Sequence, residues 1–558
     1  MAAPESTRDR DWWRDAVIYQ IYPRSFASSG APVGDLAAIT ARLDHLVTVG
    51  ADALWLSPCY VSPQRDGGYD VADYRDIDPL FGDLADMDAL IAEAHRLGLR
   101  VIVDLVPNHT SDQHEWFRAA LAAGPGSPER ERYWFREGHG AQPPNDWRSV
   151  FGAGAWTRVR DRPDAPGSAW AEDESWYLHL FDTSQPDLNW DHPEVLEEFD
   201  DILRFWLTRG VDGFRVDVAH GLAKDPELPD WANRAEMAGH GDRAQAPMWD
   251  RDEVHEIYRR WHRVLAEFGP DRILVAEAWV DPPARLACYV RPDEMHQAFN
   301  FDFLSCPWHA EDLHRVISDT LSANDAVGAP TTWVLSNHDV VRHASRLGLE
   351  VTGKGPNGIR PGEPQPDVEL GARRARAATA LMLALPGSAY LYQGEELGLP
   401  EHLDLPDEVR QDPAFFRTGG EEAGRDGCRV PLPWVADAPA FGFSPTGESW
   451  LPQPAEWADL AVDRQLDDPG SSLAMYRDLI RRRRELGLGR GTWQWLDTPD
   501  GVLAGVNRGE GRADLLVVCT VEASWPVPDG WRVLLATDQV GVDGLVPTGT
   551  TVWATTSR

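Results

Sequence analysis

The stretch "GFRVDV", Gly213 to Val218, decides how this chain is read. Side chains two apart on a strand share a face, so Arg215 and Asp217 point one way while Phe214 and Val216 point the other. An apolar outer face and a charged inner face fit a barrel strand, covered by helices outside and open to chemistry at its mouth. An Arg beside an Asp favours the ionised acid, so the pair predicts a lowered pKa for Asp217. A plain buried ion pair is the competing reading of the same two residues.

Working outward, similar short apolar runs recur along the chain. "AVIYQIY" (16–22), "ALWLSP" (53–58), "RVIVDLV" (100–106), "VDGFRVDV" (211–218), "ILVAEAW" (273–279), "QAFNFDFL" (297–304), "TTWVLSN" (331–337) and "SAYLYQG" (388–394) read as strands. Helical spacing separates most of them, over 36–49, 86–97, 193–209, 253–267, 311–321 and 372–385. Strand and helix in alternation imply a parallel sheet, and eight units predict an α/β fold of the (β/α)8 TIM-barrel type. The rhythm breaks twice. Residues 110–185, rich in Gly, Pro and Trp, read as a domain inserted after the third strand, between barrel segments 1–109 and 186–486. A long loop, about 396–460, follows the eighth strand. Loops of that length are usually functional. From 487 to 558, short strands spaced by turns predict a C-terminal antiparallel β-domain that covers the barrel.

Bulk properties narrow the function. The chain has 558 residues, too many for one core, with 42% hydrophobic and 26% charged residues, as in a soluble globular protein. A net charge of −37 argues against nucleic acid or an anionic membrane as partner. No uncharged apolar run is long enough to span a bilayer, and "MAAPESTRDRDWWRD" at the start has no apolar leader core. Five scattered cysteines predict neither a disulfide framework nor a zinc site, and fit a reducing cytoplasm. Oligomeric state is left open.

Barrel enzymes carry their chemistry at the C-terminal ends of the strands. There the fourth strand delivers Asp217 and the fifth Glu277. The seventh is followed by His338 and Asp339, and the third brings Asp104 and His109. One such acid is usually a cap or a solvated residue, but this convergence points to catalysis. Ala276 and Ala278 flank Glu277, an apolar setting expected to raise its pKa and suit it to proton donation. Two carboxyls with opposed pKa values are the pattern of glycoside hydrolysis.

The same segments resemble the α-amylase superfamily (glycoside hydrolase family 13). "DLVPNH", "GFRVDV", "AEAW" and "LSNHD" are similar to its four sequence regions in order, and "QPDLNW" to a further motif near the end of the inserted domain. "GYDVADY", "SVFGAGAW" and "GRDGCRVPLPW" resemble the α-glucosidase and oligo-1,6-glucosidase branch. The resemblance implies Asp217 as nucleophile, Glu277 as acid/base and Asp339 as the third carboxylate. It implies that Asp66, Tyr69, His109, Arg215, His338 and Arg425 enclose one glucosyl unit, with Phe151 and Phe181 as aromatic lining. Asp104 looks like a structural acid.

The implied activity is a retaining exo-α-glucosidase acting on maltose, isomaltose and short malto- or isomalto-oligosaccharides, with transglucosylation as a companion. Trehalose synthase, sucrose hydrolase and other α-glucosyl transferases share this machinery. A metal-dependent barrel enzyme or a non-catalytic homologue fits less well, given Arg215 beside Asp217 and the presence of both Asp217 and Glu277. Many relatives bind a cation in an acid-rich loop after "YPRSF". Here Ser28 and Ser29 stand where acids are common and Asp35 alone remains, so no metal and no cofactor is expected. "AEAW" departs from the tripeptide many oligo-1,6-glucosidases carry after the Glu, so linkage preference stays open.

Overall fold

The computed structural model describes residues 10–231, 246–353 and 357–556. The first nine residues of the opening stretch lie outside them. Eight parallel strands form one sheet: β1 (Val17–Ile21), β2 (Ala53–Leu56), β3 (Arg100–Leu105), β4 (Gly213–Val216), β5 (Ile273–Ala276), β6 (Gln297–Ala298), β7 (Thr332–Val334) and β8 (Ser388–Tyr392). Their spatial order is β6-β5-β4-β3-β2-β1-β8-β7. A parallel bridge between Phe299 and Thr332 joins β6 to β7 and closes the barrel.

Each strand is buried on both faces, which is why these runs read as continuous apolar segments. Phe214 and Val216 face outward into the main hydrophobic core between sheet and helices. Ile18, Trp55, Ile102, Ile273, Val275 and Tyr390 fill the barrel interior with Phe299 and Val334. The sixth segment differs from its reading as one strand. Only Gln297–Ala298 pair in the sheet, and Phe301–Leu304 turn into a helix because the Asn300 side chain accepts the Phe303 N–H. The helical run at 36–49 is likewise two helices, Leu36–Thr40 and Leu43–Val49.

Between β3 and β4 lies a three-stranded sheet of Phe135–Arg136, Trp156–Arg158 and Trp176–Leu178. A five-stranded antiparallel sheet ends the chain, running from Thr492–Trp495 to Thr550–Thr556. It docks on the helix Val368–Ala384, where Trp553 Nε1 donates to the Ala380 carbonyl at 2.9 Å. In the loop after β1, both Asp35 oxygens accept backbone N–H groups, from Ser29 at 2.6 Å and Ala38 at 2.8 Å. Among the described residues, no helix is long and apolar enough to cross a membrane.

Candidate active site

Sheet register sets the centre of the site. Val216 pairs with Ala276, and Leu105 with Val216, so β3, β4 and β5 end at one level. Asp217 and Glu277 each follow these paired positions by one residue and emerge side by side. Arg215 lies one step below and ties the acids together. Its Nη1 donates to Asp104 Oδ1 at 2.8 Å and to Asp217 Oδ1 at 2.6 Å, and its Nη2 lies 3.9 Å from Glu277 Oε2. Asp104 also accepts from the Tyr69 hydroxyl (2.9 Å) and from Trp55 Nε1 (3.2 Å), so it serves as an anchor beneath the site.

Val218 takes a left-handed backbone with φ 47°, an outlier for a β-branched residue. That turn aims its N–H at Glu277 Oε2, 2.6 Å away, while the Ala219 N–H donates to the Glu277 carbonyl at 2.8 Å. The strained turn therefore locks the ends of β4 and β5 together.

The expected opposition of pKa values between Asp217 and Glu277 is not what the site contains. Burial raises the Asp217 carboxyl well above its ordinary range, against the pull of Arg215, with Glu277, Asp104 and Asp339 adding to the rise. Burial raises Glu277 as well, against Arg215 and the Val218 N–H. The strongly lowered acid is Asp339. Burial opposes its charge, but Arg425 at 3.0 Å and Arg429 at 2.8 Å hold it far below the usual range. His338, kept neutral by burial, offers Asp339 a ring nitrogen at 3.3 Å rather than a charge. One arginine beside Asp217 is outweighed by burial, with the neighbouring carboxyls adding to it; two guanidiniums on Asp339 are not.

A tight turn brings in Asp66 and Tyr69. Gly67 and Gly68 sit at φ 58° and 103°, and a Cβ on Gly68 would come within 2.9 Å of the Pro58 carbonyl. Asp66 Oδ1 accepts from Arg425 Nη2 at 2.6 Å and Oδ2 from Gln185 Nε2 at 3.0 Å. Arg425 comes from the long loop after β8, where Asp412 grips its Nε at 2.5 Å. Its guanidinium lies over Phe151, 5.2 Å from the ring centroid, and Phe151 meets Phe181 edge-on at 5.8 Å. A second link joins that loop to the inserted segment: Arg417 donates to Asp182 at 3.1 Å and to the Gly152 carbonyl at 2.7 Å. His109 is neutral, its pKa lowered to about 4 by burial, and its Nε2 lies 3.0 Å from the Tyr69 carbonyl.

These residues surround a cavity of about 590 Å³, within the usual range for a small-molecule site. Of the eleven residues singled out from sequence, ten line it. His338 stands just behind, its ring stacked on Tyr69 at 5.2 Å and on Tyr22 at 5.7 Å. One end of the cavity is charged: Asp66, Asp339 and Asp412 meet Arg425 and Arg429. The other end is aromatic. Trp279 stacks on Phe301 at 4.0 Å, and Trp249 on His220 at 4.8 Å. Sequence reading missed Asp412, Arg429 and these aromatic pairs. Arg429 had a signal, four residues after Arg425 in the same motif; Asp412 lies in an aperiodic loop and had none.

Comparison with known proteins places the chain. The model of the alpha-amylase catalytic domain matches residues 20–489. The chain is 39% identical over 533 residues to a Rhizobium meliloti (strain 1021) protein described as "Probable alpha-glucosidase", covering 90% of this chain and 88% of that one. It is 33% identical over 556 residues to the oligo-1,6-glucosidase of Parageobacillus thermoglucosidasius, covering 93% and 92%. Among solved structures, an alpha-glucosyl transfer enzyme superposes with a TM-score of 0.82 at 33% identity, covering 98% of this chain and all of that one. With its barrel, its ordered motifs and a match over most of its length, the chain belongs to the alpha-amylase family.

Proposed function

We propose that this protein is an exo-acting α-glucosidase that releases glucose from the non-reducing end of short α-glucosides with retention of configuration. The observation that carries the reading is the closed end of the cavity. Arg425 bridges Asp66 and Asp339 there, so a chain cannot pass through and only a terminal unit fits. Asp66, Asp339 and Arg425 line this end and offer acceptors and donors to the hydroxyls of a neutral sugar.

The chemistry follows from the acid pair. Asp217 and Glu277 leave neighbouring strands about 4.8 Å apart at one level, a placement that suits the roughly 5–5.5 Å carboxyl separation of retaining enzymes. Burial raises both carboxyls, and Glu277 adds to the rise at Asp217, so the two titrate as a coupled pair. Arg215 lies 2.6 Å from Asp217 but 3.9 Å from Glu277, so of the two it favours the charged form of Asp217 more, and we assign Asp217 the ionised role once substrate is bound. Asp217 attacks the anomeric carbon while Glu277 protonates the leaving oxygen; Glu277 then takes a proton from the water that cleaves the glucosyl-enzyme. Asp339, held ionised, and Arg425 orient the sugar. Transfer to the hydroxyl of an acceptor sugar in place of water, with Glu277 taking the hydroxyl proton, is the second reading, favoured by the likeness to an alpha-glucosyl transfer enzyme. All five cysteines are free thiols, which suits a reducing compartment such as the cytoplasm.

Glucose release from maltose, isomaltose, trehalose, sucrose and kojibiose, measured in parallel with the viscosity of soluble starch, tests the reading. Glucose from several disaccharides with no fall in starch viscosity is expected. Rapid loss of viscosity with little free glucose would overturn it.

A further inference from the structure

A second cavity, about 290 Å³, lies outside the barrel mouth between the helices Val368–Ala384 and Ser472–Glu485 and the turn after β8. It has half the volume of the catalytic cavity, which must hold the two rings of a disaccharide, so it has room for one ring. Many of the polar groups around it are satisfied within the protein. Gln465 Nε2 donates to the Leu397 and Leu460 carbonyls, Ser471 Oγ caps the second helix through the Ala474 N–H, and the Tyr476 hydroxyl, beside Glu395, pairs with Thr379 at 2.8 Å.

Several groups are not satisfied. Glu395 is 3% exposed; its Oε1 accepts the Tyr392 N–H at 3.0 Å, while its buried Oε2 has no partner of good geometry beyond the neighbouring Tyr476 hydroxyl, which is shared with Thr379, and Arg342 Nε has none. Arg376, half-buried in the wall, interacts with Asp538 and Tyr476 only through charge and, like the part-exposed Ser472 hydroxyl, makes no side-chain hydrogen bond with any described residue, so both are open to a ligand from the cavity. Leaving buried polar atoms bare costs stability, and such groups around a hollow mark a place where something polar binds. Leu397 and Leu399 supply an apolar surface beside them.

We propose that this cavity is a second, noncatalytic site for a small neutral polyol of monosaccharide size, held by Glu395, Arg376 and Ser472. Hydroxyls both donate and accept, so a polyol satisfies a carboxyl, a guanidinium and a serine together. A free anion fits poorly, because Asp459 and Asp468 also line the cavity. Burial raises Glu395 to about 8, so at neutral pH it offers a donor as well as an acceptor. Arg342, which shares this cavity, also donates to the Cys428 carbonyl at 2.8 Å, next to the Arg429 that grips Asp339.

Calorimetry on the full chain, with the catalytic cavity saturated by the iminosugar 1-deoxynojirimycin, tests the proposal. D-Glucose, glycerol and inorganic phosphate are the probes. Saturated wild type is expected to bind one equivalent of glucose, with glycerol weaker and phosphate silent. Arg376→Met and Ser472→Phe should each weaken that binding about tenfold or more, the scale of a lost hydrogen bond to a charged group. Both should keep wild-type kcat/KM on an aryl α-glucoside, and Arg376→Met alone suffices if the phenylalanine prevents folding. No glucose binding to saturated wild type, equal binding by Arg376→Met, or binding of phosphate in place of glucose would overturn the proposal.

Discussion

The two ends of the catalytic cavity are built on different principles. At the closed end, paired charges fix every group: Arg425 alone contacts Asp66, Asp339 and Asp412 at 3.0 Å or less. At the open end, Trp279 on Phe301 and Trp249 on His220 offer flat aromatic surfaces. Hydrogen bonds between charged groups are directional and lose much when displaced, whereas stacking tolerates sliding and exchange of partner. On the proposed function, the contrast would give strict recognition of the glucosyl unit and latitude for the leaving group.

The largest effect belongs to the centre between these ends. Asp217→Asn should lower kcat about 10⁴-fold or more, the scale for removing a group that acts in the transition state, with the circular-dichroism spectrum unchanged. Arg425→Met comes next, because it strands buried carboxylates without a partner. A loss in kcat/KM of about 10²- to 10³-fold is expected, the scale of removing one charged group that orients the substrate, alongside a fall in stability of roughly 3–5 kcal/mol from the broken buried pairs. The factor should be the same for every leaving group; a factor that varies with the aglycone would break the division between the two ends.

Trp249→Ala sharpens the comparison from the other side. It should raise KM about 3- to 10-fold for disaccharides and aryl glucosides to different extents, in keeping with the worth of an aromatic contact. Inhibition by free glucose at the closed end should not move. The smallest effect concerns Val218, which follows the proposed nucleophile Asp217. Val218→Thr adds a hydroxyl beside the leaving group and should shift the maltose-to-isomaltose ratio of kcat/KM about 2- to 5-fold towards maltose, the worth of one solvent-competed hydrogen bond. An unchanged ratio would assign linkage choice to other residues.

The same contrast governs what was legible in the sequence. Barrel strands are buried on both faces and bounded by helical spacing, so β1 to β5, β7 and β8 stood out as apolar runs. β6 did not separate cleanly, because "QAFNFDFL" is apolar throughout and Asn300 ends the strand with a side-chain cap that apolar periodicity does not register. Acids at strand ends were found because position along a strand fixes their direction. Asp412 was not, since it reaches Arg425 from a loop of no period. The pKa order of Asp217 and Glu277 was misjudged for a related reason. "GFRVDV" displays one arginine, while the three other carboxyls that raise Asp217 arrive from three other strands.

Proton NMR of the first glucose released, recorded before mutarotation, tests the central claim most directly. The proposed double displacement by Asp217 and Glu277 predicts that the α-anomer is released first; initial release of β-glucose would contradict it.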